Sequence, residues 1–173
     1  MDERLLDAFR VDGALAEVAE FVTSFGVVGL LLPVAVIAGA WVWRAARSWT
    51  FALAPLASTW ITAVTTAWMK DAVGRARPSG AEQFLGALSP AFPSGHASNT
   101  TAFVVAAALV TGAIRPRIRR RLMWSAVAVA GVMGWTRLAL GVHWVSDVVA
   151  GWVLGALVAV VTVRAARALA RTA

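Results

Sequence analysis

The sequence predicts an all-α, polytopic transmembrane helical bundle of about five spans, preceded by an amphipathic helix at the membrane interface. Three observations predict it. The 173-residue chain is 60% hydrophobic, with a mean hydropathy of +0.73, too apolar for a soluble domain of this size. Apolar runs recur at a length that crosses a hydrocarbon core about 30 Å thick. Arginines collect in the connections between alternate runs, the pattern of a membrane protein with one basic side.

Residues 1–24, MDERLLDAFRVDGALAEVAEFVTS, begin acidic and lack the basic start and apolar centre of a signal peptide. Leu5, Leu6, Phe9, Leu15, Val18 and Phe21 recur at roughly helical spacing, so an interfacial amphipathic helix is expected. Residues 25–164 then hold the spans. Phe25 to Trp43 and Trp49 to Met69 carry no charge, and Pro93 to Ile114 carries only His96. Leu122 to Thr136 is uncharged. So is Val148 to Val163, which extends back to His143 if Asp147 is tolerated. Residues 165–173 form a basic tail.

The net charge of +7 raises the possibility of nucleic acid, but its distribution answers otherwise. Arg44 and Arg47 follow the first span, Arg115 to Arg121 follow the third, and Arg164, Arg167 and Arg171 follow the fifth. With five spans these segments share one side, without a single acidic residue. That side is expected to be cytoplasmic, with the N-terminus outside and the C-terminus inside. Basic loops flanking spans need no nucleic acid to explain them. The chain has no cysteine, hence no disulfide and no thiolate metal site. Trp41, Trp43, Trp49 and Trp124 mark the inner ends of spans, and Trp68, Trp135 and Trp144 the outer ends. Trp60 and Trp152 fall nearer mid-span and are read as packing residues. Gly151 and Gly155 form a small-xxx-small pair, read as close helix packing within the chain.

The outer face gathers the chemistry. The second span ends in KDAVGRARP, with Lys70, Arg77 and Pro78. The third begins Pro93-Ser94-Gly95-His96. The fourth ends and the fifth begins with TRLALGVHWVSD, which holds Arg137, His143 and Asp147. Both histidines of the chain therefore lie at one face with three cations. Ser94 sits at an N-cap position. The free N–H groups that follow it suit a phosphate, and Gly95 lets an anion approach. Lys70, Arg77 and Arg137 can surround that anion. His143 and Asp147, four apart, share a face. The carboxylate can fix one imidazole nitrogen and leave the other as a nucleophile. His96 can protonate a leaving oxygen. Taken singly, each residue has an ordinary explanation. Ser94 can be only a cap, His143 and Asp147 can satisfy each other, and Arg75, off this pattern, reads as an arginine that snorkels to the headgroups. Their convergence on one face is what argues for a site.

In order and spacing these residues resemble the three motifs K-x6-RP, PSGH and SR-x5-H-x3-D of the type 2 phosphatidic acid phosphatase (PAP2) superfamily, which also holds the vanadium haloperoxidases. The resemblance covers residues 70 to 147. Thr136 stands where the family usually has serine. Family members commonly have six spans, and the acidic amphipathic segment here stands in place of the first. The resemblance implies that His143 attacks phosphorus and becomes a phosphohistidine, that Asp147 orients it, and that His96 protonates the leaving group and then activates water. Lys70, Arg77, Ser94, Gly95 and Arg137 would hold the phosphoryl oxygens. It implies no metal and no other cofactor.

A membrane setting points to a lipid phosphate at the extracytoplasmic face of a bacterial plasma membrane. The resemblance favours a polyprenyl diphosphate, such as the undecaprenyl carrier of cell-wall synthesis. Phosphatidic acid, phosphatidylglycerol phosphate and a polyprenyl phosphosugar are the alternatives, as is transfer of the phosphoryl group to another acceptor. A phospholipid-binding protein without turnover is less favoured, because His143 and Asp147 are both present. A haloperoxidase is least favoured, since those relatives are soluble.

Overall fold

The computed structural model describes residues 2–81 and 89–171, and every described element is helical. Two short helices come first, α1 (Asp2–Asp7) and α2 (Ala14–Ser24). The single amphipathic helix expected over this segment is thus broken in two, at the turn through Gly13. Five long helices follow: α3 (Val28–Ala46), α4 (Trp49–Val73), α5 (Gly95–Ile114), α6 (Arg119–Ala139) and α7 (Val145–Leu169). A 3-10 turn, Pro116–Ile118, leads into α6. Helix α7 runs on to Leu169, so it takes in Arg164, Arg167 and most of the segment read as a tail.

Four of the long helices, not the expected five, are long and apolar enough to cross a membrane. They are Val28–Ala46, Gly95–Ile114, Pro116–Ala139 with its leading 3-10 turn, and Val145–Leu169. Helix α4 has 25 residues but is not among them. The reason is its hydroxyls: Ser58, Thr59, Thr62 and Thr66 lower its hydropathy, and all four are buried inside the bundle. Length and freedom from charge suggested a span where composition is only moderately apolar.

Helix α5 is the axis of the bundle and packs against α3, α4, α6 and α7. It can do so because its buried positions are small: Ala97, Ser98, Ala102 and Ala106 let neighbouring backbones close in. The glycine pair on α7 meets this surface. A Cβ added at Gly151 would lie 2.8 Å from the Ser94 carbonyl oxygen, and one at Gly155 would lie 2.3 Å from that of Ser98. Both glycines therefore serve contact between α5 and α7 within the chain. Large apolar side chains such as Ile37, Trp68 and Val161 face outward instead, as a bilayer allows. Trp152 packs as expected, its indole N–H donating to the Ala130 carbonyl at 2.9 Å. Trp60 does not; at 58% exposure it belongs to the outward belt.

Two further contacts prepare the site. Gly74 (φ 60°) ends α4 in a left-handed turn that glycine adopts without strain, and the chain then crosses the end of the bundle. The N-terminal segment lies over the same end. Leu6 is buried there with Leu138 and Val148, and Val11 N–H bonds the Ala139 carbonyl at 3.1 Å.

The close approach of α5 and α7 predicts a sharp difference between glycines. Gly155→Val should push the two helices apart, a cost on the order of 1–3 kcal/mol or more. Gly131→Ala, where an added Cβ meets nothing within 4 Å, should leave stability unchanged or raised. Thermal unfolding in detergent checks both, and equal behaviour of the two variants would contradict the packing.

Candidate active site

Five segments converge at one end of the bundle, around a cavity of about 320 Å³. Lys70 comes from the last turn of α4, Arg77 from the following loop, and Gly95 and His96 from the start of α5. Arg137 comes from the last turn of α6, and His143 from the turn before α7. Six of the eight sequence-predicted residues therefore line the cavity. Asn99 joins them from the next turn of α5, and Gly26, Val27 and Val28 form an apolar wall on the N-terminal side.

Ser94 and Asp147 do not line it. Ser94 occupies the N-cap position of α5, but its hydroxyl makes no capping bond and has no partner among the described residues. Its backbone N–H instead bonds the Asp147 carbonyl at 3.0 Å, which locks the start of α5 to α7. Gly95 is not demanded by packing, since an added Cβ would meet only Thr66 at an ordinary 3.7 Å.

Asp147 stands behind His143 and is fully buried. Its Oδ2 accepts the Trp144 backbone N–H at 2.9 Å and lies 3.4 Å from His143 Nδ1. His143 is not itself on the helix, as expected from spacing, but two residues before its first turn. Asp147 Oδ1 accepts from Arg75 Nη1 at 2.7 Å, and the same nitrogen donates to Ser146 Oγ at 2.7 Å. The Arg75 guanidinium also stacks over the Trp144 ring at 5.6 Å. Arg75 is therefore the cation that balances the buried carboxylate and not an arginine that snorkels. Sequence reasoning passed over it because it falls between the motif positions. The signal was the carboxylate, which has two oxygens and only one of them accounted for.

Arg77 holds the other side of His143. Its Nε donates to the Ser89 carbonyl and its Nη1 to the Val142 carbonyl, both at 2.7 Å. Nη1 also lies 3.2 Å from His143 Nε2. A guanidinium can only donate, so Nε2 is the acceptor and the ring proton sits on Nδ1, towards Asp147. That tautomer turns the Nε2 lone pair to the side of the cavity that Arg77 occupies, where it accepts the Arg77 N–H. Burial pushes the His143 imidazole well below its ordinary range, and the nearby cations Arg77, Arg137 and Lys70 push it further. Burial also lowers the Arg77 guanidinium. Lys70 Nζ donates to the Pro90 carbonyl.

Arg137 is 2% exposed. Its Nη1 donates to Thr23 Oγ1 at 2.6 Å, while its Nε is buried with no partner among the described residues. Thr136, in place of the usual serine, keeps a working hydroxyl, which donates to the Met133 carbonyl at 2.7 Å. Thr23, from α2, has no motif around it, and no local pattern marks it. The result, among the described residues, is three cations and two imidazoles around one small cavity, with the Asp147 carboxylate set back from it. Such an arrangement fits a multiply charged oxyanion. Among the described residues no three His, Asp or Glu side chains gather around a common point.

Comparison with known proteins agrees with this geometry. The PAP2 superfamily model matches residues 48–171. A lipid A 1-phosphatase of Rhizobium johnstonii is 35% identical over 103 residues, which span 54% of this chain and 39% of that protein. Phosphatidylglycerophosphatase B of Bacillus subtilis is 32% identical over 146 residues, 83% of this chain and 71% of that one. The crystal structure of a transmembrane PAP2-type phosphatidylglycerolphosphate phosphatase from Bacillus subtilis superposes with a TM-score of 0.84 at 28% identity. That superposition covers 93% of this chain and 82% of the other. With the family match running from the start of α4 to the end of α7 and the site assembled largely from the same helices, this chain belongs to the PAP2 superfamily.

Proposed function

We propose that the chain hydrolyses a lipid phosphate through a phosphohistidine formed on His143. The observation that carries this reading is the orientation of His143. Its Nδ1 side faces the buried Asp147, and its Nε2 faces the cavity shared by Lys70, Arg77 and Arg137. The phosphoryl oxygens bind the three cations and the N–H groups at the start of α5, with Ser94 supporting that turn. Arg77 shifts its N–H from Nε2 to a phosphoryl oxygen, the freed lone pair of His143 Nε2 attacks phosphorus, and the P–O bond to the lipid breaks. His96 gives its proton to the departing lipid oxygen. Asp147 stabilises the imidazolium-like ring through Nδ1–H. Water then attacks phosphorus, its proton passes to His96, the P–N bond breaks, and inorganic phosphate leaves.

The names of the relatives bring phosphatidylglycerol phosphate to the front of the substrate panel, ahead of the polyprenyl diphosphate expected from sequence. In His143→Ala, phosphate release in detergent should fall by at least about a thousandfold, since a nucleophile is lost. Asp147→Asn should cost about a hundredfold or more. Retention of near-wild-type release in His143→Ala would end the mechanism. Ranking phosphatidylglycerol phosphate, phosphatidic acid and polyprenyl diphosphate by kcat/KM identifies the substrate class. Phosphate appearing on an added alcohol in preference to water would identify a phosphotransferase.

The low affinity of His143 for a proton sets the pH behaviour. The neutral ring is the nucleophile, so activity is present above its pKa and lost as pH falls through it. Because burial and three cations depress that pKa, kcat/KM should show no loss as pH is lowered to about 6.5, the ordinary value for histidine. Arg77→Gln removes one depressing charge and should move the acid limb of the residual activity to higher pH. A limb that moves lower would contradict the assignment.

The site is assigned to the extracytoplasmic face, with α4 crossing as a fifth span. Supporting this are the position of α4 against α3, α5 and α7 and the arginines gathered at the opposite ends of the helices. The absence of cysteine makes the test clean. In intact cells, Asp12→Cys should react with an impermeant maleimide, and Arg117→Cys should react only after permeabilisation. The reverse pattern would invert the topology.

A further inference from the structure

Helix α2 lies outside every motif and outside the residues matched by the family model, yet one of its side chains enters the site. Thr23 is 8% exposed. Its Oγ1 accepts the 2.6 Å hydrogen bond from Arg137 Nη1. The same oxygen stands 3.2 Å from Thr136 Oγ1 and 3.9 Å from Met133 Sδ. These groups form a small buried polar cluster where α2 packs on α6. Among the described residues Thr23 is the one hydrogen-bond partner of the Arg137 side chain.

The choice of nitrogen matters. A guanidinium offers five N–H donors in one plane, arranged along distinct edges. With Nη1 occupied by Thr23, the Nε–Nη2 edge stays free, and this edge can give two parallel bonds to an oxyanion. Nε is the atom that is buried without a partner, on a side chain that lines the cavity. Lys70 and Arg77 line the same cavity and repel Arg137. A long side chain in that field has reason to swing away unless something holds it.

We propose that Thr23 is a positioning residue. Its hydroxyl fixes the Arg137 guanidinium so that the Nε–Nη2 edge meets the phosphoryl oxygens. This rests on the reading of Arg137 as a phosphate ligand given above. Thr23 acts through Arg137 and touches no reacting atom. The N-terminal segment thereby becomes part of the phosphate site as well as a cover over one end of the bundle.

The test uses the full chain in detergent, with inorganic phosphate as probe in two readouts. One is competitive inhibition of lipid hydrolysis, and the other is phosphate-dependent thermal stabilisation, which needs no turnover. Thr23→Val keeps the β-branched shape and removes the hydroxyl. It should weaken phosphate in both readouts and lower kcat/KM by roughly tenfold or more, the scale of a hydrogen bond to a charged group. Thr23→Ser should restore all three to within about threefold, because the same hydrogen bond is available. In an Arg137→Ala background Thr23→Val should add little.

Unchanged phosphate affinity and kcat/KM in Thr23→Val would overturn the proposal. So would equal losses in Thr23→Val and Thr23→Ser, or additive losses with Arg137→Ala, since each would leave packing as the explanation. If Thr23→Val is not recovered folded, Thr23→Ala, which adds no atoms, carries the same comparison. Arg137→Ala separates the two levels. If it leaves phosphate affinity unchanged, the reading of Arg137 falls and the role of Thr23 with it. If it weakens phosphate while Thr23→Val does not, the role of Thr23 alone falls.

Discussion

Asp147 is a carboxylate without solvent contact at the rim of a membrane span, and much of the site is built to hold it there. An unpaired charge in such a place costs several kcal/mol. The chain meets that cost with three groups from two segments. The Trp144 N–H comes from the turn before α7, the Arg75 guanidinium from the loop after α4, and the His143 imidazole from the end of the α6–α7 connection. The backbone carbonyl of Asp147 also receives Ser94 N–H from the start of α5. One residue thus ties α4, α5 and α7 together where the chemistry lies. The Gly151 and Gly155 contacts bring α5 and α7 close enough for that tie to form.

Around this anchor the charges are sorted. The anionic partner sits behind His143, and the cations sit in front, where a phosphoryl group would be. Such preorganised positive charge in a partly dry cavity stabilises charge that develops in a transition state. It also keeps His143 neutral in the resting state, since a protonated imidazole would face three cations at close range. The same field would thus serve both roles proposed for the site, holding the oxyanion and keeping the nucleophile unprotonated. Arg75 keeps the positive side from pulling Asp147 forward, by giving the carboxylate a cation of its own at 2.7 Å.

The N-terminal segment has a larger part than its composition suggests. Leu6 and Val11 fasten it over the α6–α7 end. Gly26 to Val28 form the apolar wall of the cavity. Helix α2 brings a hydroxyl to Arg137. A segment that reads as an interfacial helix is, in three dimensions, the far side of the cavity proposed to hold phosphate.

The sequence by itself determined the helical membrane class and which cations and histidines would meet. It could do so because these properties are local: hydropathy over a span, and fixed intervals within one helix or turn. Six residues named from motifs, Lys70, Arg77, Gly95, His96, Arg137 and His143, line one cavity for that reason. The tertiary structure alone decided the rest. Whether α4 is apolar outside and polar inside depends on which hydroxyls its neighbours cover. The partner of Arg137 lies 114 positions away and that of Asp147 lies 72 positions away. No interval along the chain encodes such pairings. They follow from how closely small residues let the helices approach, and from the need of a buried charge or guanidinium to find the nearest group that can answer it.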